Sequence, residues 1–126
     1  QVVICGSALD EAVAAHVLAQ RDSLLPPIRS LAAEHLAIVT EWMAEQPLVS
    51  WVPPAGGVVA FPWLDESVDP DAFYRHLNEV GGTYVGEGHW FEADRHHFRL
   101  GYGWPTTDEL RGGLAAITAA AQEARR

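Results

Sequence analysis

Apolar residues recur at intervals of three and four from Ile28 onward: Ile28, Leu31, Ala32, His35, Leu36, Val39, Trp42 and Met43. That period puts them on one stripe of a long helix and predicts that the stripe is buried. Pro26 and Pro27 have no backbone N–H to donate, so they belong in its first turn or at a kink. Pro47 marks its end. Upstream, Ser7 followed three residues later by Asp10 resembles a capping box. It predicts a helix to about Gln20, with Leu9, Val13, Ala14 and Val17 as its apolar members. Residues 2–6 read as a short extended segment.

Beyond Pro47 the pattern changes to short runs. Residues 48–52 and 58–61 read as two strands, and the Pro53-Pro54-Ala55-Gly56-Gly57 turn between them predicts a hairpin. In the second run Val58 and Ala60 face one way and Val59 and Phe61 the other. Both sets are apolar, so both sheet faces are expected to be covered, one of them by a layer this chain does not supply. Asp69-Pro70 is an N-cap followed by proline at the first helical position. The helix it starts carries Phe73, Leu77 and Val80 inward and ends at Gly81-Gly82. Residues 83–85 read as a strand, 86–92 as a loop and 97–102 as the last strand. Thr106 to Glu109 is a second capping box, opening a helix lined by Leu110, Leu114 and Ile117. Gly112 and Gly113 inside that helix cost about 1 kcal/mol each relative to Ala. The order predicts an α+β fold, a small, mainly antiparallel sheet with helices packed on one face.

Composition narrows the function classes. At 126 residues the chain is one domain, 1–126, with a helical lead-in over about 1–46 and sheet and helices over 47–126. Eight arginines, no lysine and 17 acidic residues give a net charge of -9, which disfavours nucleic acid and anionic membranes as partners. No apolar run approaches the roughly 20 residues of a membrane helix, and no signal-peptide pattern is present. The lone Cys5 cannot form an internal disulfide, which fits a cytoplasmic location, and an inert buried thiol is expected. The sequence starts at Gln1 rather than Met, as expected of a piece of a longer protein or of a processed start. Without lysine, no side chain here can form a lysine Schiff base.

One residue stands out chemically. In the last strand Phe98, Leu100 and Tyr102 form one face and His97, Arg99 and Gly101 the other. Arg99 therefore sits mid-strand among apolar neighbours, and a guanidinium so placed suits a carboxylate bound two-pronged. A structural salt bridge to one of the 17 acidic residues, or a plain exposed strand arginine, is the alternative. His89, His96 and His97 with Glu87, Glu92 and Asp94 match no metal-ligand spacing, so no metal is expected. The five tryptophans are scattered at 42, 51, 63, 90 and 104, which suits packing rather than a sugar platform.

Taken together, the motifs resemble a known family. The run from Trp51 to Pro62, with Pro53-Pro54-Ala55-Gly56-Gly57 at its centre, is similar to the small-domain hairpin of class I/II, fold type I, pyridoxal-phosphate-dependent aminotransferases. Phe98-Arg99-Leu100-Gly101-Tyr102-Gly103 resembles their substrate-carboxylate strand. Cys5 to Glu11 resembles the stretch where the chain leaves the large domain, and Glu109 to Leu114 the start of the terminal helix. The resemblance covers essentially the whole chain, in order and spacing. It departs from the family at Glu87, where Pro is common, and at Glu92, where Gly often follows the aromatic residue.

The resemblance implies the C-terminal small domain of an enzyme that moves an amino group between an amino acid and a 2-oxo acid. Arg99 would fix the substrate α-carboxylate, and Gly56 and Gly57 would let backbone approach the substrate. Pyridoxal 5'-phosphate would serve the parent enzyme, held by a large domain, with none bound by this chain alone and no catalytic residue in it. The implied partners are that large domain, an amino-acid substrate and a second copy in a homodimer or higher oligomer. The competing expectation is a stand-alone small-molecule-binding or dimerisation module without catalysis.

Overall fold

The computed structural model describes residues 7–126, so the extended segment 2–6 and Cys5 lie outside the described residues. The chain divides into two compact units, Gln1–Leu31 and Ala32–Arg126. In the first, α1 (Ala8–Ala19) begins at Ser7, whose side chain accepts a hydrogen bond from the Asp10 N–H, as the cap predicts. Its apolar members are not a buried stripe: Leu9, Val13 and Val17 are all exposed. The next helix, α2 (Arg21–Ala44), begins earlier than expected. Pro26 and Pro27 therefore lie inside it, past the first turn, and each removes one i to i−4 bond without ending the helix. Ile28 and Leu31 are also exposed, so the buried stripe of α2 starts later, at His35, Ile38, Val39 and Met43.

The second unit carries the core. It holds β1 (Val49–Ser50), β2 (Val59–Ala60), β3 (Trp63–Leu64), α3 (Pro70–Glu79), β4 (Gly86–Glu87), β5 (Phe98–Gly101) and α4 (Thr107–Glu123). All the strand pairs are antiparallel, and the α+β class stands. The expected hairpin does not form. β1 pairs with β3, and β2 pairs with β5. Pro53 and Pro54 lack the N–H groups that would carry a ladder into the turn, and β1, which ends at Ser50, takes the later strand as its partner.

β2 and β3 lie along one extended run. Val59 pairs with Gly101, Ala60 with Leu100 and Trp63 with His97, all in one unbroken register. Phe98 N–H donates to the Pro62 carbonyl at 3.0 Å, and Leu64 N–H to the His96 carbonyl at 2.9 Å. Pro62 has no N–H to return, and the interruption between β2 and β3 falls there.

Residues 83–85 are not a strand, and the strand follows directly after them, in β4. Thr83 is spent on closing α3: its N–H donates to the Leu77 carbonyl, its hydroxyl to the Gly81 carbonyl, and Gly82 takes φ 57°. Val80, expected inward, is 72% exposed as the C-cap residue. Gly81 takes the close approach to α4 instead, since a Cβ there would lie 3.1 Å from that of Ala116.

The inner sheet face presents Ala60, Leu64, Phe98, Leu100 and Tyr102 to Phe73 and Leu77 of α3 and to Leu110, Leu114 and Ile117 of α4. The Thr106–Glu109 capping box is complete. His35, fully buried on α2, donates from Nδ1 to the Tyr102 carbonyl at 2.7 Å, and its Nε2 lies 3.3 Å from the Thr107 hydroxyl. One imidazole thus ties α2 to the end of β5 and the start of α4. His35→Ala leaves a cavity and strands that carbonyl, so it should lower unfolding free energy by about 2–4 kcal/mol in denaturant titration. A loss below 1 kcal/mol would show that the tie is dispensable.

Candidate functional site

The alternation of β5 decides what the sheet offers outward. Phe98, Leu100 and Tyr102 are buried, while Arg99 and Gly101 are exposed and His97 is half-buried. The register sets the neighbours. Val59 stands beside Gly101, Phe61 lies across from Arg99, and Trp63 stands beside His97. On the other side of β5, Gly86 pairs with Arg99. Of the 58–61 run only Ala60 is buried by this chain: Val59 and Phe61 on the outer face remain 43% and 38% exposed, and Val58, before β2, remains 38% exposed.

Aromatic rings surround the arginine. Its Cζ lies 5.4 Å from the ring centre of Phe91, which comes from the 3-10 turn Gly88–Phe91. Phe91 meets Phe61 edge-on at 5.8 Å, and Phe61 stacks on His97 at 5.4 Å. Gly86 makes room for this: a Cβ there would fall 3.1 Å from Phe91 and 3.2 Å from the Arg99 Cβ. Among the described residues no carboxylate forms an ion pair with Arg99, whereas Arg95 pairs with Asp71 and Glu87, and Arg126 with Asp69. A ring contact at an exposed site is worth about 0.5–1 kcal/mol. It steadies the guanidinium and leaves its N–H groups open to an anion.

Beside Arg99 the imidazole of His97 is fixed from several directions. Its Nδ1 lies 3.0 Å from Asp94 Oδ1. Its backbone carbonyl accepts from Gly88 N–H and from the Tyr74 hydroxyl, each at 2.8 Å. Burial pushes the Tyr74 hydroxyl up to about 12, so it serves as a donor at any ordinary pH. Gly88 must be glycine, since a Cβ would lie 2.6 Å from the His97 carbonyl oxygen and closer still to that of Asp94. Among the described residues no group of three or more His, Cys, Asp or Glu side chains converges for a metal ion.

The structure does not bring all the expected site residues together. Gly56 and Gly57 lie before Val58, outside β2 and four to five residues from Phe61, the residue across from Arg99. Gly57 takes φ 95°, which explains glycine there. Gly56 has neither a positive φ nor a neighbour that a Cβ would strike, so this chain's own packing does not call for it. The sequence reading missed Phe61, Phe91 and the Asp94–His97 pair as companions of Arg99. Asp94 and His97 three residues apart was the available signal, and it was weighed only as metal ligation.

No family model and no curated protein matches the sequence. Solved structures do. A PLP-dependent aminotransferase from Streptococcus suis superposes on 98% of the chain with a TM-score of 0.82 and 28% identity, and the chain spans 33% of it. The PLP-dependent cyclase OrfR superposes on 98% with a TM-score of 0.80 and 33% identity, and the chain spans 34% of it. The chain has the fold of an aminotransferase small domain. LysN, an α-aminoadipate aminotransferase from Thermus thermophilus, shares the fold at 17% identity, with a TM-score of 0.71 over 85% of the chain. This small domain spans about a third of the length of the structures it matches.

Within the small domain Asp94 ionises below its ordinary value of 3.8, chiefly because the His97 ring donates to it. A depressed folded value means that the contribution to stability is complete above the ordinary value and is lost as pH falls through the folded one. Asp94→Asn should therefore flatten the fall of the thermal midpoint between about pH 4 and pH 2 relative to wild type. Parallel curves would show that the pair does not hold the loop.

Proposed function

We propose that this chain is the substrate-anchoring C-terminal small domain of a pyridoxal-phosphate-dependent enzyme that moves an amino group between an amino acid and a 2-oxo acid. Arg99 binds the substrate α-carboxylate. The observation that carries the reading is the guanidinium itself. It stands mid-strand on an uncovered aromatic face with no carboxylate of its own paired to it among the described residues. A planar carboxylate meets the guanidinium fork with two parallel hydrogen bonds, which fixes orientation as well as position.

Anchoring of that kind raises rate by holding the amine in line with the reacting group. The cofactor, when bound, supplies the amino-group chemistry; a chain without lysine leaves its attachment to a large domain. Phe61, Phe91 and Trp63 lower the local dielectric around the ion pair and exclude water from it. Gly56 and Gly57 keep their proposed role of close backbone approach, at the rim of the face rather than beside Arg99. The same outer face, with Val59 and Phe61 exposed, receives the large domain in the parent enzyme, a cytoplasmic homodimer in this reading. A structure named as a cyclase is among the similar ones, which is compatible with a parent reaction other than amino transfer.

In the enzyme that contains this domain, Arg99→Gln should lower kcat/KM for its amino-acid substrates by about 100-fold or more, the loss of a two-pronged charged contact. Because the side chain is exposed, the thermal midpoint should stay within a degree or two of wild type. An unchanged kcat/KM would remove Arg99 from the site.

A further inference from the structure

The imidazole of His97 is presented on the same face as Arg99 and fixed more firmly than a surface histidine requires. Its carbonyl oxygen takes two hydrogen bonds, from Gly88 N–H and the Tyr74 hydroxyl. Its ring stacks on Phe61 at 22° and leans on Trp63 at 5.9 Å. Its Nδ1 is held by Asp94 Oδ1, which also accepts from the His96 N–H at 2.8 Å. A glycine is required at 88 to let the loop close against it. Several features that differ in kind thus fix one ring.

A carboxylate only accepts hydrogen bonds, so Nδ1 carries the hydrogen. In that tautomer of the neutral ring, Nε2 is left as an acceptor. No hydrogen bond to Nε2 is formed among the described residues. His97 and Arg99 are two residues apart on one strand, so their Cα atoms are about 6.6 Å apart with both side chains outward. An extended amino acid such as glutamine spans roughly 6 Å from its carboxylate carbon to its terminal nitrogen. With the carboxylate on Arg99, the end of such a side chain reaches His97.

We propose that His97 is a specificity-determining residue, whose Nε2 accepts a hydrogen bond from a donor group on the substrate side chain. The inference rests on the reading of Arg99 as the carboxylate anchor. The substrate class is then an α-amino acid whose side chain ends in an amide, a guanidinium or a hydroxyl. An acidic side chain brings only acceptors and meets the carboxylate of Asp94 nearby. An aliphatic one leaves the imidazole desolvated and unpaired, which is how a polar site rejects an apolar substrate.

The test compares kcat/KM for glutamine and arginine with kcat/KM for leucine and methionine, in the enzyme containing this domain. His97→Phe keeps the stack on Phe61 and removes both nitrogens. His97→Gln restores a polar atom near the position of Nε2. Wild type should favour the donor-bearing group, His97→Phe should shrink that preference about 10-fold, and His97→Gln should recover part of it. Separately, long-range nitrogen-15 spectra of this chain should show hydrogen on Nδ1 of the His97 ring.

A wild-type preference for the aliphatic group, turnover of neither group, or an equal loss on all substrates in His97→Phe would overturn the proposal. So would a ring whose hydrogen sits on Nε2 and not on Nδ1. Arg99→Gln separates the two readings, since it should weaken every substrate alike. If it does so while His97→Phe leaves selectivity unchanged, the anchor stands and the His97 proposal falls. If Arg99→Gln changes nothing, both fall.

Discussion

Everything that matters in this domain depends on the parity of β5. Its register against the run 58–64 sends Phe98, Leu100 and Tyr102 into the core and leaves His97, Arg99 and Gly101 outside. A slip of one residue would bury a guanidinium and expose two aromatic rings, at a cost no small domain could absorb. Both ends of the strand are secured. His35 bonds the Tyr102 carbonyl at one end, and Gly88 with Tyr74 holds the His97 carbonyl at the other. The inner face pays for the fold through burial, and that leaves the outer face free to keep an arginine with no carboxylate paired to it among the described residues.

That division explains an otherwise odd surface. A chain with 48% hydrophobic residues leaves Phe61, Phe91, Trp90 and Trp104 substantially exposed. Around Arg99 the aromatic rings have geometric roles. Phe91 sits on the guanidinium over the space Gly86 leaves, and Phe61 bridges Phe91 and His97. Rigid rings cost little conformational entropy when a ligand binds, so such a face is prepared for its partner.

Much of this was legible in the sequence, because local rules act there alone. The caps at Ser7, Asp69 and Thr106, the end of α3 at Gly81-Gly82 and the alternation of 98–102 follow from backbone chemistry within a few residues. What failed was non-local. The two runs flanking Pro53-Pro54 looked like a hairpin, but strand pairing is chosen by the whole sheet, and β5 claimed the second run. The helical period of α2 is real, yet Ile28 and Leu31 are exposed. Arg99 could be singled out by parity. Its companions could not, since Phe91 arrives from a 3-10 turn whose position depends on the Gly88 contact.

The central claim is that Arg99 holds a substrate carboxylate on the outer sheet face. The most direct measurement is a crystal structure of the enzyme containing this domain with an amino-acid analogue bound. The account predicts the analogue's carboxylate on the Arg99 guanidinium through two hydrogen bonds of about 2.7–2.9 Å, on the face that carries Phe61 and Phe91. A carboxylate bound elsewhere, with Arg99 paired to an acidic side chain of the enzyme, would contradict it.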